Sequence, residues 1–292
     1  QGAVVVSAPR AEVTVSLRLN DAPVVWRGDP DTLLLDWLRD DLGITSVKRG
    51  CSPQAACGSC TVRVDDEAQL ACSFKMRRAA GRHVRTLEGL SEVVRTALGQ
   101  AIAQRGGAQC GFCSPGIVMR AASLLAVEPA PDRQRIAAAL APHICRCTGW
   151  VKVLDAIEGA AATLRGQLPT AQDVDAGEGV GARRQKRDAA DLALGERAFV
   201  ADLRAPDMLH GALVLSEFAR AEVRGLQVAE ALALPGVERV LTAADFDQDL
   251  RVGLKVRDWP VLVPVGATTR YVGDCLAIVL ATDRRLARQA AA

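Results

Sequence analysis

The chain has 292 residues, of which 49% are hydrophobic and 24% charged, the balance of a globular protein of about two ordinary domains and not of a disordered or collagen-like one. Lys plus Arg is 36 and Asp plus Glu 34, a net of +2, and Trp 4, Tyr 1 and Phe 5 are the only aromatics, so a nucleic-acid-binding surface is not expected. No apolar run approaches the ~20 residues of a membrane span and residues 1–10 lack a signal-peptide pattern, so the expected location is cytoplasmic.

Alternation over residues 12–19 predicts a strand, Asn20-Asp21 a turn, and 24–26 a second strand. Asp31 or Thr32 can cap a short helix over 33–38 that stops near Gly43. A cysteine-bearing loop follows, then strands at 60–64, 69–72 and 83–85. This is a β-grasp order. From Ser91 the period becomes helical, with helices at 91–104, 115–127, 132–141 and 149–165 forming a small bundle. Leu124, Leu125, Ile136, Leu140, Val153, Leu154 and Ile157 are its expected core. Residues 167–190 read as a linker, and the basic run Arg183-Arg184-Gln185-Lys186-Arg187 as its solvated face. Beyond it, strands at 208–215, 237–241 and 271–280 mix with helices at 229–234 and from Asp283. Leu286, Ala287 and Ala290 begin an apolar face on the last helix, and residues 191–292 are expected to form an open partial domain.

The nine cysteines carry the chemistry. Cys51-x5-Cys57-x2-Cys60-x11-Cys72 and Cys110-x2-Cys113-x31-Cys145-x1-Cys147 form two sets of four, and Cys275 stands apart as an expected buried strand residue. Disulfides suit small secreted domains without a core, which this is not. Zinc sites pair two short knuckles, and each set here has only one Cys-x2-Cys. Plant-type [2Fe–2S] proteins use Cys-x4-Cys-x2-Cys with a distant fourth ligand. The first set is that pattern with one residue added. Gly50, Gly58, Gly111 and Gly149 flank the cysteines, as expected of loops that turn N–H groups toward sulfur. Ser114-Pro115 and Thr148 read as helix starts whose positive ends face the second set. A zinc-stabilised binding module and a stand-alone ferredoxin-like carrier are the alternatives. His83, His143 and His210 form no dyad at a recognisable spacing and are expected to be structural, and no residue is a candidate for acid–base catalysis.

Gly50-Cys51 through Cys57-Gly58-Ser59-Cys60-Thr61-Val62, Gln109-Cys110-Gly111-Phe112-Cys113-Ser114-Pro115-Gly116 and Ile144-Cys145-Arg146-Cys147-Thr148-Gly149-Trp150 resemble the iron–sulfur part of the xanthine dehydrogenase/aldehyde oxidase family of molybdenum hydroxylases. Gly195-Glu196-Arg197-Ala198-Phe199-Val200, Leu234-Pro235-Gly236-Val237 and Arg270-Tyr271-Val272-Gly273-Asp274 are similar to the α/β hammerhead domain that opens its molybdenum-binding portion. The resemblance implies an α+β multidomain chain. Residues 11–86 would be a β-grasp [2Fe–2S] domain, 87–166 a four-helix [2Fe–2S] domain, 167–190 a linker, and 191–292 a partial hammerhead domain. Two [2Fe–2S] clusters are implied, together with a molybdopterin cofactor held mostly outside this chain. Gln109 would hydrogen-bond the pterin and Cys147 would sit at the pterin–cluster contact. The implied partners are the rest of the molybdenum-binding portion, in the same polypeptide or another chain, and a separate flavin subunit or other electron acceptor. The first loop departs from the commoner family form: it reads Ser52-Pro53-Gln54-Ala55-Ala56, one residue longer and without the usual glycine.

Overall fold

Strand β1 (Val13–Leu19) buries Val15, Leu17 and Leu19 and turns the residues between them outward. Asn20 and Asp21, at φ +48° and +71°, close a two-residue turn that pairs Leu19 with Ala22 of β2 (Ala22–Gly28). Left-handed conformation at both turn residues matches the twist of a hairpin, and Asn and Asp tolerate it. A computed structural model describes residues 11–292 of the chain apart from Ser52, 148–149, 168–178, Arg183 and Asp249.

The short helix α1 (Leu34–Asp36) continues into a π-helical turn over Trp37–Asp41. Leu34, Leu35, Trp37 and Leu38 are buried with Phe74, Met76, Val62 and Val84 in one core. Each such side chain contributes about 1.5–3 kcal/mol by leaving water. Asp65 and Asp66, at φ +50° and +71°, join β3 (Thr61–Val64) to β4 (Glu67–Leu70) by a second two-residue turn. That tight turn starts β4 two residues before the expected 69–72. Residues Ala71–Ser73 instead form one 3₁₀ turn, which carries Cys72. Strand β5 (His83–Arg85) lies parallel to β1 and antiparallel to β3, giving the order β2-β1-β5-β3-β4. This is the expected β-grasp sheet.

Four helices follow. Helix α2 (Glu92–Gln104) is capped by Ser91, whose hydroxyl accepts from Val94 N–H. Helix α3 spans Ser114–Val127, α4 (Arg133–Leu140) is capped by Asp132, and α5 spans Val151–Leu164. The predicted core residues are buried here, except that Leu154 is partly exposed. Helix α3 starts one residue earlier than expected: Cys113 is the cap and Ser114 the first helical residue. Helix α5 begins at Val151, after Trp150 at φ +78°; Thr148, expected as its cap, and Gly149 lie outside the described residues.

The first compact unit runs on to Leu203, beyond the fourth helix. Helix α6 (Ala189–Ala193) buries Ala189, Leu192 and Ala193, and a 3₁₀ turn at Val200–Asp202 ends the unit. Within the basic run, Lys186 bonds Asp188 at 2.5 Å, and Arg183 lies outside the described residues.

The second unit spans Arg204–Ala292. Its elements are β6 (His210–Leu215), α7 (Ala229–Leu232), β7 (Val237–Thr242), β8 (Arg251–Val252), β9 (Trp259–Pro260), β10 (Cys275–Ala281) and α8 (Arg284–Ala291). An antiparallel sheet has the order β6-β10-β7, and β8 pairs with β9. Strand β10 starts after a turn at 271–274, where Gly273 takes φ +101° and the Asp274 carboxylate accepts from Arg270 N–H at 2.5 Å. Cys275 is half-buried rather than buried. Asp283 caps α8 through Arg285 and Leu286 N–H, and Ala287 is fully buried. Leu213, Leu215, Phe218, Leu254, Val256 and Val272 are exposed. No helix among the described residues is long and apolar enough to cross a membrane.

Candidate metal centres

Cys51 and Cys57 lie on the loop before β3, Cys60 directly precedes that strand, and Cys72 sits in the 3₁₀ turn after β4. The β3–β4 hairpin therefore brings the fourth thiol back beside the other three. Cys51 contacts Cys57, and Cys60 contacts Cys72. Backbone amides of Gln54 (3.4 Å), Ala56 and Cys57 face Cys51 Sγ, and the Ala55 amide faces Cys72. Ala55 reaches this position at φ +53°, a conformation that costs about 1–2 kcal/mol for a residue with a Cβ. Alanine thus takes the left-handed position in a loop that lacks the usual glycine. Cys60 donates to Cys72, which holds the Cys60 thiol up and lowers that of Cys72.

The second set joins the knuckle ahead of α3 to the segment ahead of α5. Cys110 Sγ and Cys147 Sγ are 3.5 Å apart, and Cys113 contacts Cys145. Burial, reinforced by Cys145, pushes the Cys113 thiol up to about 12. The Phe112 amide faces Cys110. Cys110 and Cys147 are exposed, whereas Cys60 and Cys72 are buried. Gln109 is exposed beside them and donates its side-chain N–H to Cys147 O at 3.0 Å. Of the four flanking glycines, Gly58 and Gly111 have positive φ, Gly50 does not, and Gly149 lies outside the described residues.

Both sets fit a two-iron, two-sulfide core. Such a core takes two thiolates at each iron, and each set offers two contacting pairs with peptide N–H groups turned to sulfur. Among the described residues, no three His, Cys, Asp or Glu side chains close on a single point as one metal ion requires.

The two sets meet through the backbone. Ile144 N–H donates to Cys57 O at 3.0 Å, so a cysteine of one set is bonded to the neighbour of Cys145 in the other. His143 locks the same junction. Its Nε2 lies 3.2 Å from both Gly116 O and Thr61 Oγ1, and Thr61 Oγ1 donates to Gly58 O at 2.7 Å. A carbonyl only accepts, so Nε2 carries the hydrogen. Burial, with Arg120 nearby, pushes the imidazole down to about 4, so it is neutral and structural. A Cβ on Gly116 would lie 2.4 Å from Gly58 O, so the start of α3 can approach the first loop only as glycine.

A third element, which sequence reasoning missed, ties these parts together. Gly195 and α6 press on the knuckle: Leu192 packs against Gly111, and Pro115 and Ser46 flank Gly195. The Phe199 ring stands edge-on to Phe112 at 5.3 Å. Asp202 accepts from Arg39 at 2.5 Å and Lys48 at 2.7 Å, with all three side chains at 3% exposure or less. The motif around Gly195 is visible in the sequence, but nothing local marks its docking site.

A β-grasp sheet and a four-helix bundle, each carrying four thiols and joined by a peptide hydrogen bond, define a two-centre iron–sulfur protein. Residues 18–82 match the family described as 2Fe-2S iron-sulfur cluster binding domain, and 86–158 match the [2Fe-2S] binding domain. Residues 194–292 match the a/b hammerhead domain of aldehyde oxidase and xanthine dehydrogenase. Aldehyde oxidoreductase of Megalodesulfovibrio gigas is 35% identical over 282 residues, which is 90% of this chain and 31% of that protein. The nicotinate dehydrogenase small FeS subunit of Eubacterium barkeri is 37% identical over 150 residues, 51% of this chain and 95% of that one. The solved aldehyde oxidoreductase of Desulfovibrio gigas superposes with a TM-score of 0.80 at 31% identity, over 96% of this chain and 33% of that one. The chain belongs to the xanthine dehydrogenase/aldehyde oxidase family of molybdenum hydroxylases. It spans about a third of the length of the aldehyde oxidoreductases it matches.

Proposed function

We propose that this chain is the iron–sulfur electron-transfer portion of a molybdenum hydroxylase acting on xanthine-, aldehyde- or N-heterocycle-type substrates. The observation that carries this reading is the Ile144–Cys57 hydrogen bond at 3.0 Å, which couples two four-thiol sets. Cys51, Cys57, Cys60 and Cys72 hold one [2Fe–2S] cluster, and Cys110, Cys113, Cys145 and Cys147 hold the other. When bound, the molybdopterin centre supplies hydroxylation with oxygen from water, and the clusters accept and release single electrons. Within the chain, the peptide bond from Ile144 to Cys145 and the hydrogen bond to Cys57 O provide a short through-bond connection between the centres.

Each end of this connection has an open face. Pro53, Gln54, Ala55 and Ala56 are exposed beside the first set and suit an outside acceptor such as a separate flavin protein. Gln109, Cys110 and Cys147 are exposed beside the second set and suit the pterin. The bond from Gln109 to Cys147 O holds the amide at that face. The partner is the rest of the molybdenum-binding portion, in the same polypeptide or another chain. Exposed Leu213, Leu215, Phe218 and Val272 supply apolar surface for it. In domain terms, 11–86 and 87–166 hold the clusters, 167–190 links, and 191–292 opens the molybdenum-binding portion, with its residues 191–203 belonging to the cluster-holding compact unit. A cytoplasmic setting suits a chain whose nine cysteines form no disulfide with one another.

Metal and acid-labile sulfide analysis of the natively isolated protein tests the reading. About four iron and about four sulfide per chain are expected from two such clusters. Stoichiometric zinc without iron would contradict it.

A further inference from the structure

We infer that Ser59 is a positioning residue that tunes the first cluster, by donating its hydroxyl hydrogen to the sulfur of Cys57 on the side facing the second cluster. The inference rests on the assignment of Cys57 as a ligand of that cluster. Ser59 Oγ lies 3.1 Å from Cys57 Sγ and 3.3 Å from Lys48 O, and the residue is 3% exposed. Its backbone is fixed independently, because Lys48 N–H donates to Ser59 O at 3.2 Å. Ser59 and Cys57 line the same cavity, of about 260 Å³, as Cys110, Cys113, Cys145 and Cys147. Ser59 therefore lies on the side of the first set that faces the second.

A hydrogen count decides the direction of the bond. A free Cys57 thiol can donate to Ser59 Oγ while the hydroxyl donates to Lys48 O, and both groups are then satisfied. Iron binding removes the thiol proton to solvent and leaves an acceptor-only thiolate. The single Ser59 hydrogen then has a charged acceptor at 3.1 Å and a neutral one at 3.3 Å. Hydrogen bonds to charged acceptors are about twice as strong, so the hydroxyl turns to sulfur. A donor on a ligand sulfur favours the more negative, reduced cluster and raises its potential. Because Ser59 bonds a ligand of the first cluster, it raises the driving force from the second cluster to the first.

The test is Ser59→Ala in the full chain isolated with its clusters, which removes one oxygen from a packed site and adds no volume. The first cluster's potential should fall while the second cluster's stays fixed, shifting the electron distribution between them about tenfold, or about 59 mV for one electron. In parallel, the reduced first cluster should lose one exchangeable proton coupling, read by electron–nuclear double resonance in H₂O and D₂O. Ser59→Thr keeps the hydroxyl and should restore both readouts. An unmoved potential, a retained proton coupling, or equal shifts of both clusters would each overturn the role of Ser59 while leaving the ligand assignment intact. Absence of a first-cluster signal in the native, iron-loaded chain would instead overturn the ligand assignment, and this inference with it.

Discussion

Replacing Cys60 with serine is expected to remove the first cluster, leave the second, and reduce electron delivery to an outside acceptor to background. Cys60 is 2% exposed, directly precedes β3 and contacts Cys72, so its thiol is fixed by the sheet beside its partner. A serine oxygen is a harder and poorer iron ligand than thiolate. Iron and sulfide should fall from about four to about two of each per chain. The second set shares no thiol with the first; the two loops meet through the Ile144 hydrogen bond, the His143 junction and the close approach of Gly116 to Gly58 O. Substrate-driven reduction of the remaining cluster should therefore persist. If electrons still reached the acceptor at the native rate with the first cluster missing, the proposed order along the chain would be wrong.

Truncating Asp202 to alanine is expected to destabilise the Pro9–Leu203 unit by about 3–5 kcal/mol, the cost of stranding a buried charge. Arg39 stays anchored by Thr45 O at 3.1 Å and Val47 O at 2.7 Å. Lys48, at 1% side-chain exposure, loses its hydrogen-bonded carboxylate and keeps the Phe199 ring, 5.0 Å from its Nζ, and the charge of Glu88. Adding Lys48→Met to the truncation removes the stranded charge and should recover part of the loss, a coupling that a double-mutant cycle measures. Burial pushes the Asp202 carboxyl up, but hydrogen bonds from Arg39 and Lys48 more than offset this and hold it below the usual carboxylate range. The sign follows by linkage: the pair's contribution is complete above the ordinary carboxylate pKa and is lost as pH falls through the depressed one. Denaturant unfolding of wild type and variant at neutral and acidic pH reads both effects. A loss below about 1 kcal/mol, the scale of an exposed pair, would show that the 3₁₀ turn at Val200–Asp202 is not held by these charges.

The sequence announces the candidate ligands and the sheet more clearly than the connections. Cysteine spacing is a local signal, and so is the alternation that makes β1. The start of β4 differs from expectation because Asp65-Asp66 closes its hairpin in two residues, which places Glu67 opposite Val64. The start of α3 differs because Cys113 takes the cap position itself, without a side-chain hydrogen bond. Asp202 is not legible at all. Its partners lie 163 and 154 residues earlier in the chain, and an exposed-looking Val-Ala-Asp segment carries no period that points to them. For the same reason the compact unit ends at Leu203, well after the fourth helix. The Ile144–Cys57 contact escapes sequence reading too, since a backbone hydrogen bond leaves no trace in side-chain identity.

About four iron and four sulfide would also fit a single four-iron cluster, so composition alone does not separate one centre from two. Spin quantitation by electron paramagnetic resonance of the fully reduced chain does. Two independent [2Fe–2S] centres held by Cys51, Cys57, Cys60 and Cys72 and by Cys110, Cys113, Cys145 and Cys147 predict two distinct signals totalling about two spins per chain. One signal totalling about one spin, with all the iron in a single centre, would contradict the account.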